Sequence, residues 1–249
     1  SCEALANRLD VSTETVLPFS TGVIGERLAM DVLTKGLDNC IESATDSADA
    51  WQRAASAIMT TDTVPKLVSS QVLLGGKTVT VTGMAKGAGM IRPDMATMLA
   101  FIATDATIDS SLLQAALDAA VNASFNRITV DGDTSTNDAC MLLATGASGI
   151  APLSMGSNDH ELFVHALYEV MQSLAKSIIR DAEGATKFIT INVAGGSSEQ
   201  DCLAVAYTVA ESPLVKTAMF ASDPNWGRIL AAVGRAPVGS LDINSVSIS

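Results

Sequence analysis

The spacing of apolar residues changes along this chain, and each change predicts an element. Over residues 26–44 they fall at helical intervals, with Leu33, Leu37, Cys40 and Ile41 on one stripe. A second helix is predicted to start near Asp46 or Ser47, either of which can cap it, and to bury Trp51, Ala54, Ala55 and Ile58. The period then drops to two. KLVSSQVLL (66–74) and KTVTVTG (77–83) flank Gly75-Gly76 and predict a β-hairpin with Val79 and Val81 on one face. TMLAFIAT (97–104) is apolar at every register, as a strand covered on both sides should be. Asp109 can cap a helix running to Ser124 with Leu113, Ala116, Leu117, Ala120 and Val121 inside. Short strands are predicted at RITVD (127–131) and near ACMLLAT (139–145). A helix over 158–181 buries Phe163, Leu167, Val170, Met171, Leu174 and Ile178. The strand KFITINVAG, a helix over 198–211 and the mixed segment DPNWGRILAAVGRA complete the order.

Helices and strands in mixed order around a hairpin predict a layered α/β (α+β) fold, with helices packed on mixed or antiparallel sheets. A Rossmann sheet is disfavoured, because its glycine fingerprint is missing and the hairpin implies antiparallel pairing. The 249 residues are 48% hydrophobic and 17% charged, enough to bury a sizeable core; aromatics supply only 4%, so Ala, Val, Leu, Ile and Met must build it. The net charge of −12, without any basic run, argues against nucleic acid and anionic membranes as partners. Polar residues interrupt every apolar segment before it reaches the length of a membrane span, and the first residues lack a secretory pattern. Cys2, Cys40, Cys140 and Cys202 are far apart with no Cys-x-x-Cys pair, which predicts free thiols in the cytoplasm or an organelle matrix.

Several motifs fail on inspection. GGKT (75–78) would need Gly at Gln71 and a following helix to be a phosphate loop, so it reads as a hairpin turn. His160 and His165, the only histidines, lie five apart on different faces of a helix; they exclude a zincin site, weaken any Ser-His-Asp scheme and suggest a solvated face. DGDTSTND (131–138) opens like a calcium loop, but Thr136 stands at the glycine position and Leu142 at the closing glutamate. It reads as a polar turn satisfying its own backbone, although so many small polar residues often line a site.

GMAKGAGMIRPDMAT survives. Gly87 and Gly89 admit backbone conformations closed to other residues, Pro93 fixes another step, and Lys86 is a rare basic group among small and apolar neighbours. Thr97 then opens the apolar strand. It either simply starts that strand or is a nucleophile held at its edge. With no usable histidine, a threonine hydroxyl needs another base, and its own α-amine can serve once the preceding bond is cut. Such an amine, of reference pKa roughly 7.7–8.0, is partly neutral near pH 7. Lys86 could lower that value further or stabilise developing negative charge.

GMAKGAGMIRPDMATMLAFIATDA closely resembles the signature of the ornithine acetyltransferases, the bifunctional glutamate N-acetyltransferases of arginine biosynthesis. The resemblance continues through VLPFSTGVIGERLAMD, AIMTTDTVPK, SFNRITVDGDTSTNDAC, RDAEGATKF and DPNWGRILAAVGRA, nearly the whole chain in collinear order. It implies an N-terminal-nucleophile-like sandwich and a precursor that cuts itself between Ala96 and Thr97. Residues 1–96 would correspond to the alpha subunit and 97–249 to the beta subunit, incomplete at the N- and C-terminal ends respectively, and the cut subunits would associate, as a heterotetramer. Thr97 would be the nucleophile, contacting substrate, with its free amine as base. Thr21 and Gly22 would form the oxyanion hole through a hydroxyl and a backbone N–H. Lys86 and Thr60, with Thr61 near enough to leave that register open, would bind substrate, and Glu183 would meet its amino end. The implied reaction moves acetyl from N-acetylornithine to glutamate with no cofactor, acetyl-coenzyme A being an alternative donor in some members. Read singly, Thr21-Gly22 could be a turn and Glu183 a surface charge. The alternatives are an amidohydrolase or aminopeptidase, in which water takes the acyl group, and a non-catalytic binding module.

Overall fold

The computed structural model describes residues 1–92, 98–135 and 137–249. Its centre is a four-stranded sheet in the order β1 (Lys66–Leu74), β2 (Lys77–Lys86), β3 (Leu99–Thr104) and β4 (Ala139–Ala144). The first two pairings are antiparallel and β3–β4 is parallel, which makes the sheet mixed. Gly75 (φ +54°) and Gly76 (φ +77°) close the β1–β2 hairpin with left-handed backbone at both turn positions, a conformation that matches the twist of the flanking strands.

One face of this sheet is the core. Val79, Val81 and Ala85 of β2, Ala100 and Ile102 of β3 and Leu142 of β4 are buried beneath α5 (Asn158–Arg180), whose Phe163, Leu167, Val170, Met171, Leu174 and Ile178 are buried in turn. α4 (Ser110–Ala123) packs beside α5, with Leu112, Ala116 and Ala120 inside and Leu113, Leu117 and Val121 half-buried against the core. Contact is closest at Gly83, where an added Cβ would stand 3.0 Å from Leu174 and 3.2 Å from Val170 and Ile102. The opposite face is more polar: Ser69 and Thr82 share a 2.8 Å hydroxyl hydrogen bond, and Phe101 and Ala103 are only half-buried. The double cover expected for β3 is therefore complete on the α5 face alone.

Ser47 caps α3 (Ala48–Ala57), Asp109 caps α4, Ser157 caps α5 and Ser198 caps α6 (Glu199–Ala210), each accepting a backbone N–H in the first turn. α1 (Cys2–Leu9) contacts α2 (Met30–Glu42) through Arg8 and Asp38. The predicted stripe on α2 is a weak one, with Leu37 and Ile41 half-buried but Leu33 and Cys40 exposed. Two further α-helices follow, α7 (Pro213–Phe220), which the apolar pattern did not predict, and α8 (Trp226–Gly234), within the mixed segment.

Two predicted strands are corrected. RITVD forms no ladder and is tied by the Val130 N–H to the Ile91 carbonyl at 2.7 Å. KFITINVAG has no strand beside it among the described residues, and alternation without a partner makes no sheet. Nor do both histidines sit on a solvated face. His165 does, 3.8 Å from Glu169, but His160 is half-buried and its Nε2 has no hydrogen-bond partner among the described residues.

Candidate active site

At the end of the sheet where β2 finishes and β3 begins, a cavity of about 460 Å³ draws its walls from six segments. The loop before α2 supplies Thr21, Gly22, Val23 and Ile24; the loop after α3 supplies Thr60 and Thr61; β2 and its continuation supply Lys86, Gly89 and Met90. Met98 and Leu99 come from the start of β3, Ser135, Asn137 and Asp138 from the run before β4, and Glu183 from just beyond α5. The volume suits a small polar metabolite. Thr21, Gly22, Thr60, Lys86 and Glu183 are thus brought together, and Thr61 lines the same space. Ala96 and Thr97 lie outside the described residues; Met98, which follows Thr97 in sequence, lines the cavity.

Each wall is held by identifiable bonds. Phe19 stacks edge-on against Phe101 at 5.4 Å, and Asn137 Nδ2 donates to the Ser20 carbonyl at 2.7 Å. Together they lay the Thr21-Gly22 loop against the ends of β3 and β4. Asp62, buried, accepts from the Thr60 N–H at 3.1 Å, the Gly87 N–H at 2.7 Å and Lys66 Nζ at 2.6 Å. Lys66 reaches Asp181 at the same 2.6 Å, and Asp181 also accepts the Thr63 N–H and hydroxyl. This buried carboxylate–ammonium–carboxylate triad fixes the Thr60 loop, the base of β1, the turn after Lys86 and the end of α5 relative to one another. Burial pushes the pKa of Asp62 up, but the Gly87 and Thr60 amides and Lys66 outweigh it, so the carboxyl ends below its ordinary value; Asp181 behaves likewise through Lys66 and Thr63.

Glu183 is anchored by its N–H to the Ala88 carbonyl at 2.8 Å, and its carboxyl lies against Gly89. An added Cβ at Gly89 would meet that carboxyl at 2.8–3.0 Å. Asp131 grips the next step of the loop, accepting from the N–H groups of Met90 at 2.6 Å and Ile91 at 3.0 Å. Lys86 is buried, which lowers its ammonium pKa from the ordinary value, while Asp62 and Asp138 act in the opposite sense.

The DGDTSTND run is more than a self-satisfying turn. Asp131 does bond its own turn through the Asp133 N–H, but Asn137 latches the Thr21 loop, and Ser135 and Asp138 line the cavity. The density of small polar residues was the one signal for this in the sequence. Nothing comparable marked Asp62 or Asp181, whose amide partners lie up to 118 residues away.

Fold and site together define a mixed α/β protein with a small-molecule pocket built from hydroxyls, backbone amides, one buried cation and carboxyls. The ArgJ family profile matches residues 1–249, and the chain belongs to that family. It is 52% identical over 249 residues to the arginine biosynthesis bifunctional protein ArgJ of Pseudomonas syringae pv. tomato, covering 100% of this chain and 61% of that protein. Against the protein of the same name from Methylococcus capsulatus it is 55% identical over 248 residues, covering 100% of this chain and 60% of the relative. The chain therefore spans about 60% of the length of the curated relatives it matches. The crystal structure of arginine biosynthesis bifunctional protein ArgJ from Bacillus halodurans superposes with a TM-score of 0.56 at 46% identity, covering 58% of this chain and 68% of that one.

Proposed function

We propose that this chain is part of an acetyltransferase of arginine biosynthesis that moves acetyl from N2-acetylornithine to glutamate through an acetyl-Thr97 intermediate. The observation that carries the reading is the convergence of Thr21, Gly22, Thr60, Lys86 and Glu183 from four separate regions on one cavity whose lining also contains Met98. In this scheme the chain first cuts itself between Ala96 and Thr97. The freed Thr97 amine takes the hydroxyl proton, and Oγ attacks the acetyl carbonyl. The Thr21 hydroxyl and Gly22 N–H receive the oxyanion, each such donor being worth roughly 3 kcal/mol in the transition state. The C–N bond to ornithine breaks with the proton passing to the leaving amine, and glutamate repeats the steps in reverse. Lys86 and Glu183, one cation and one anion, suit the two ends of a zwitterionic amino acid, with Thr60 beside them.

The sheet gives a reason for the two pieces to stay together after the cut. β2 precedes Ala96 and β3 follows Thr97, yet they pair along six residues, Val81↔Thr104 through Lys86↔Leu99, while α5 packs on β1 and β2. The alpha-type part (1–96) and beta-type part (97–249) would separate only by breaking that ladder and the core beneath it.

The test is denaturing mass analysis of the full-length protein with N-terminal identification, followed by assay of N-acetylornithine consumption. A fragment beginning at Thr97 and consumption that depends on glutamate are expected. An uncut Thr97, or acetate release regardless of glutamate, would replace this reading with a binding module or a hydrolase respectively. Acetyl-coenzyme A offered in the same assay tests the second donor.

A further inference from the structure

The triad behind the Thr60 loop is not neutral. Lys66 shares its single charge between two carboxylates, Asp62 and Asp181, each at 2.6 Å, so the three together carry one negative charge in excess. The side chains of Asp62 and Lys66 are 0% and 1% exposed, and that of Asp181, nearest the surface, 6%, which leaves water little room to compensate the excess. A surplus charge so placed is costly unless a further cation stands by. Lys86 is that cation among the described residues: it is buried at the cavity wall, and of the charged groups acting on it Asp62 acts most strongly.

The backbone ties the same two residues together. Asp62 Oδ1 accepts the Gly87 N–H at 2.7 Å, and that nitrogen belongs to the peptide joining Lys86 to Gly87. Lys86 Cα therefore stands within about 5 Å of the oxygen whatever the local torsions. Asp62 Oδ2 meanwhile accepts the Thr60 N–H at 3.1 Å, so one carboxylate holds the backbone beside two residues of the cavity lining. We propose that Asp62 is the positioning residue of Lys86: it fixes the Lys86–Gly87 peptide and supplies the standing negative charge that keeps the Lys86 side chain an ammonium at the cavity wall. The consequence for catalysis rests on the reading of Lys86 as the group that receives the carboxylate end of the substrate; the charge pairing itself does not.

The charges around Lys86 favour Asp62 for this role. Burial lowers the Lys86 pKa, Asp62 and then Asp138 raise it, and Lys66 on β1 lowers it again; Glu183, just beyond α5, lines the same cavity. Asp138, before β4, is itself raised by burial to about 7, so it is only partly ionised near neutral pH. Burial raises Asp62 as well, but the Gly87 amide, Lys66 and the Thr60 amide outweigh it, and Asp62 stays ionised throughout the neutral range. Without the Asp62 charge, burial and Lys66 would act on Lys86 in the same sense, and its ammonium would lose its proton at lower pH. A neutral amine offers a carboxylate no charge, so the substrate site would fail earlier on the alkaline side.

The experiment follows the titration of Lys86 in the full-length protein by competitive labelling of its amines with isotopically labelled acetic anhydride, read peptide by peptide by mass between about pH 7 and 11. Asp62→Asn is expected to lower the Lys86 midpoint by at least about one pH unit. Asp181→Asn removes a carboxylate from the same triad, but one that bonds neither the Lys86–Gly87 peptide nor Thr60, and is expected to leave the midpoint where wild type has it. A purely structural role for Asp62 would move both variants alike. Asp62→Glu, which keeps the charge, should retain a midpoint near wild type, and it decides where the Asn variant fails to fold. An unmoved midpoint in Asp62→Asn, an equal fall in Asp181→Asn, or a fall of about one pH unit in Asp62→Glu would overturn the proposal. In the same variants the alkaline limb of kcat/KM for N2-acetylornithine is expected to move down with the Lys86 midpoint. A limb that stays put while the midpoint falls would confirm the pairing and overturn instead the reading of Lys86 as a substrate group.

Discussion

At the scale of single residues, this site depends on carboxylates that cap backbone amides far away in sequence. Asp62, Asp131 and Asp181 each accept two or more N–H donors from loops that carry pocket residues. A lone aspartate in a sequence gives no sign of which amide it will meet, so Asp62 and Asp181 stayed invisible and Asp131 showed only as part of a polar run, whereas Lys86 stood out by its apolar surroundings. Gly89 is a position where local sterics and function separate. The atoms an added methyl would strike belong to the end of the Glu183 side chain, which can rotate away. Gly89→Ala is therefore expected to leave stability within about 0.5 kcal/mol of wild type while raising KM for the proposed amino-acid substrate several-fold. An unchanged KM with a displaced Glu183 would show that this carboxylate does not bind substrate.

At the scale of elements, legibility tracked how completely each one is satisfied by local signals. The β1–β2 hairpin, α4, α5 and α6 carry both a periodic apolar face and a capping or turn residue, and each was predicted with its bounds within three residues. RITVD and KFITINVAG carried alternation alone; whether alternation becomes strand depends on a neighbouring edge, which sequence does not display. α7 fell between other patterns because its eight residues provide barely two turns of periodicity. The junction of α5 with the sheet supplies the element-scale prediction. Gly83 is buried under Leu174 and Val170, and its neighbours are branched side chains locked in the core rather than free ends. Gly83→Ala should therefore cost about 1–3 kcal/mol by overpacking. In a chain of this size that is a fall of roughly 2–4 °C in Tm per kcal/mol, read by thermal unfolding. A gain in Tm would mean that α5 lifts off the sheet more easily than its burial implies.

At the scale of the whole molecule, two sets of buried carboxyls pull stability in opposite directions with pH. Asp62 and Asp181 have folded-state pKa values below the unfolded reference of about 3.9, so their contribution is present above that value and lost as pH falls through the folded ones. Asp138 is raised to about 7; its contribution is complete below about 3.9 and lost as pH climbs through 7. The net charge of −12 at pH 7 adds self-repulsion on the alkaline side. Urea midpoints measured from pH 3 to pH 8 should thus rise on going down from pH 8 toward about 5, then fall below about 4. Asp138→Asn should flatten the alkaline limb. Lys66→Met should cost about 3–5 kcal/mol at pH 7, because it leaves two buried carboxylates without their shared cation. That loss should shrink on acidification, since the bereft carboxyls would then take up protons above pH 4 rather than below it. A wild-type midpoint that climbs steadily from pH 5 to pH 8 would sink this account, because Asp138 and the growing negative charge both require stability to fall over that range, where the triad's contribution is already complete.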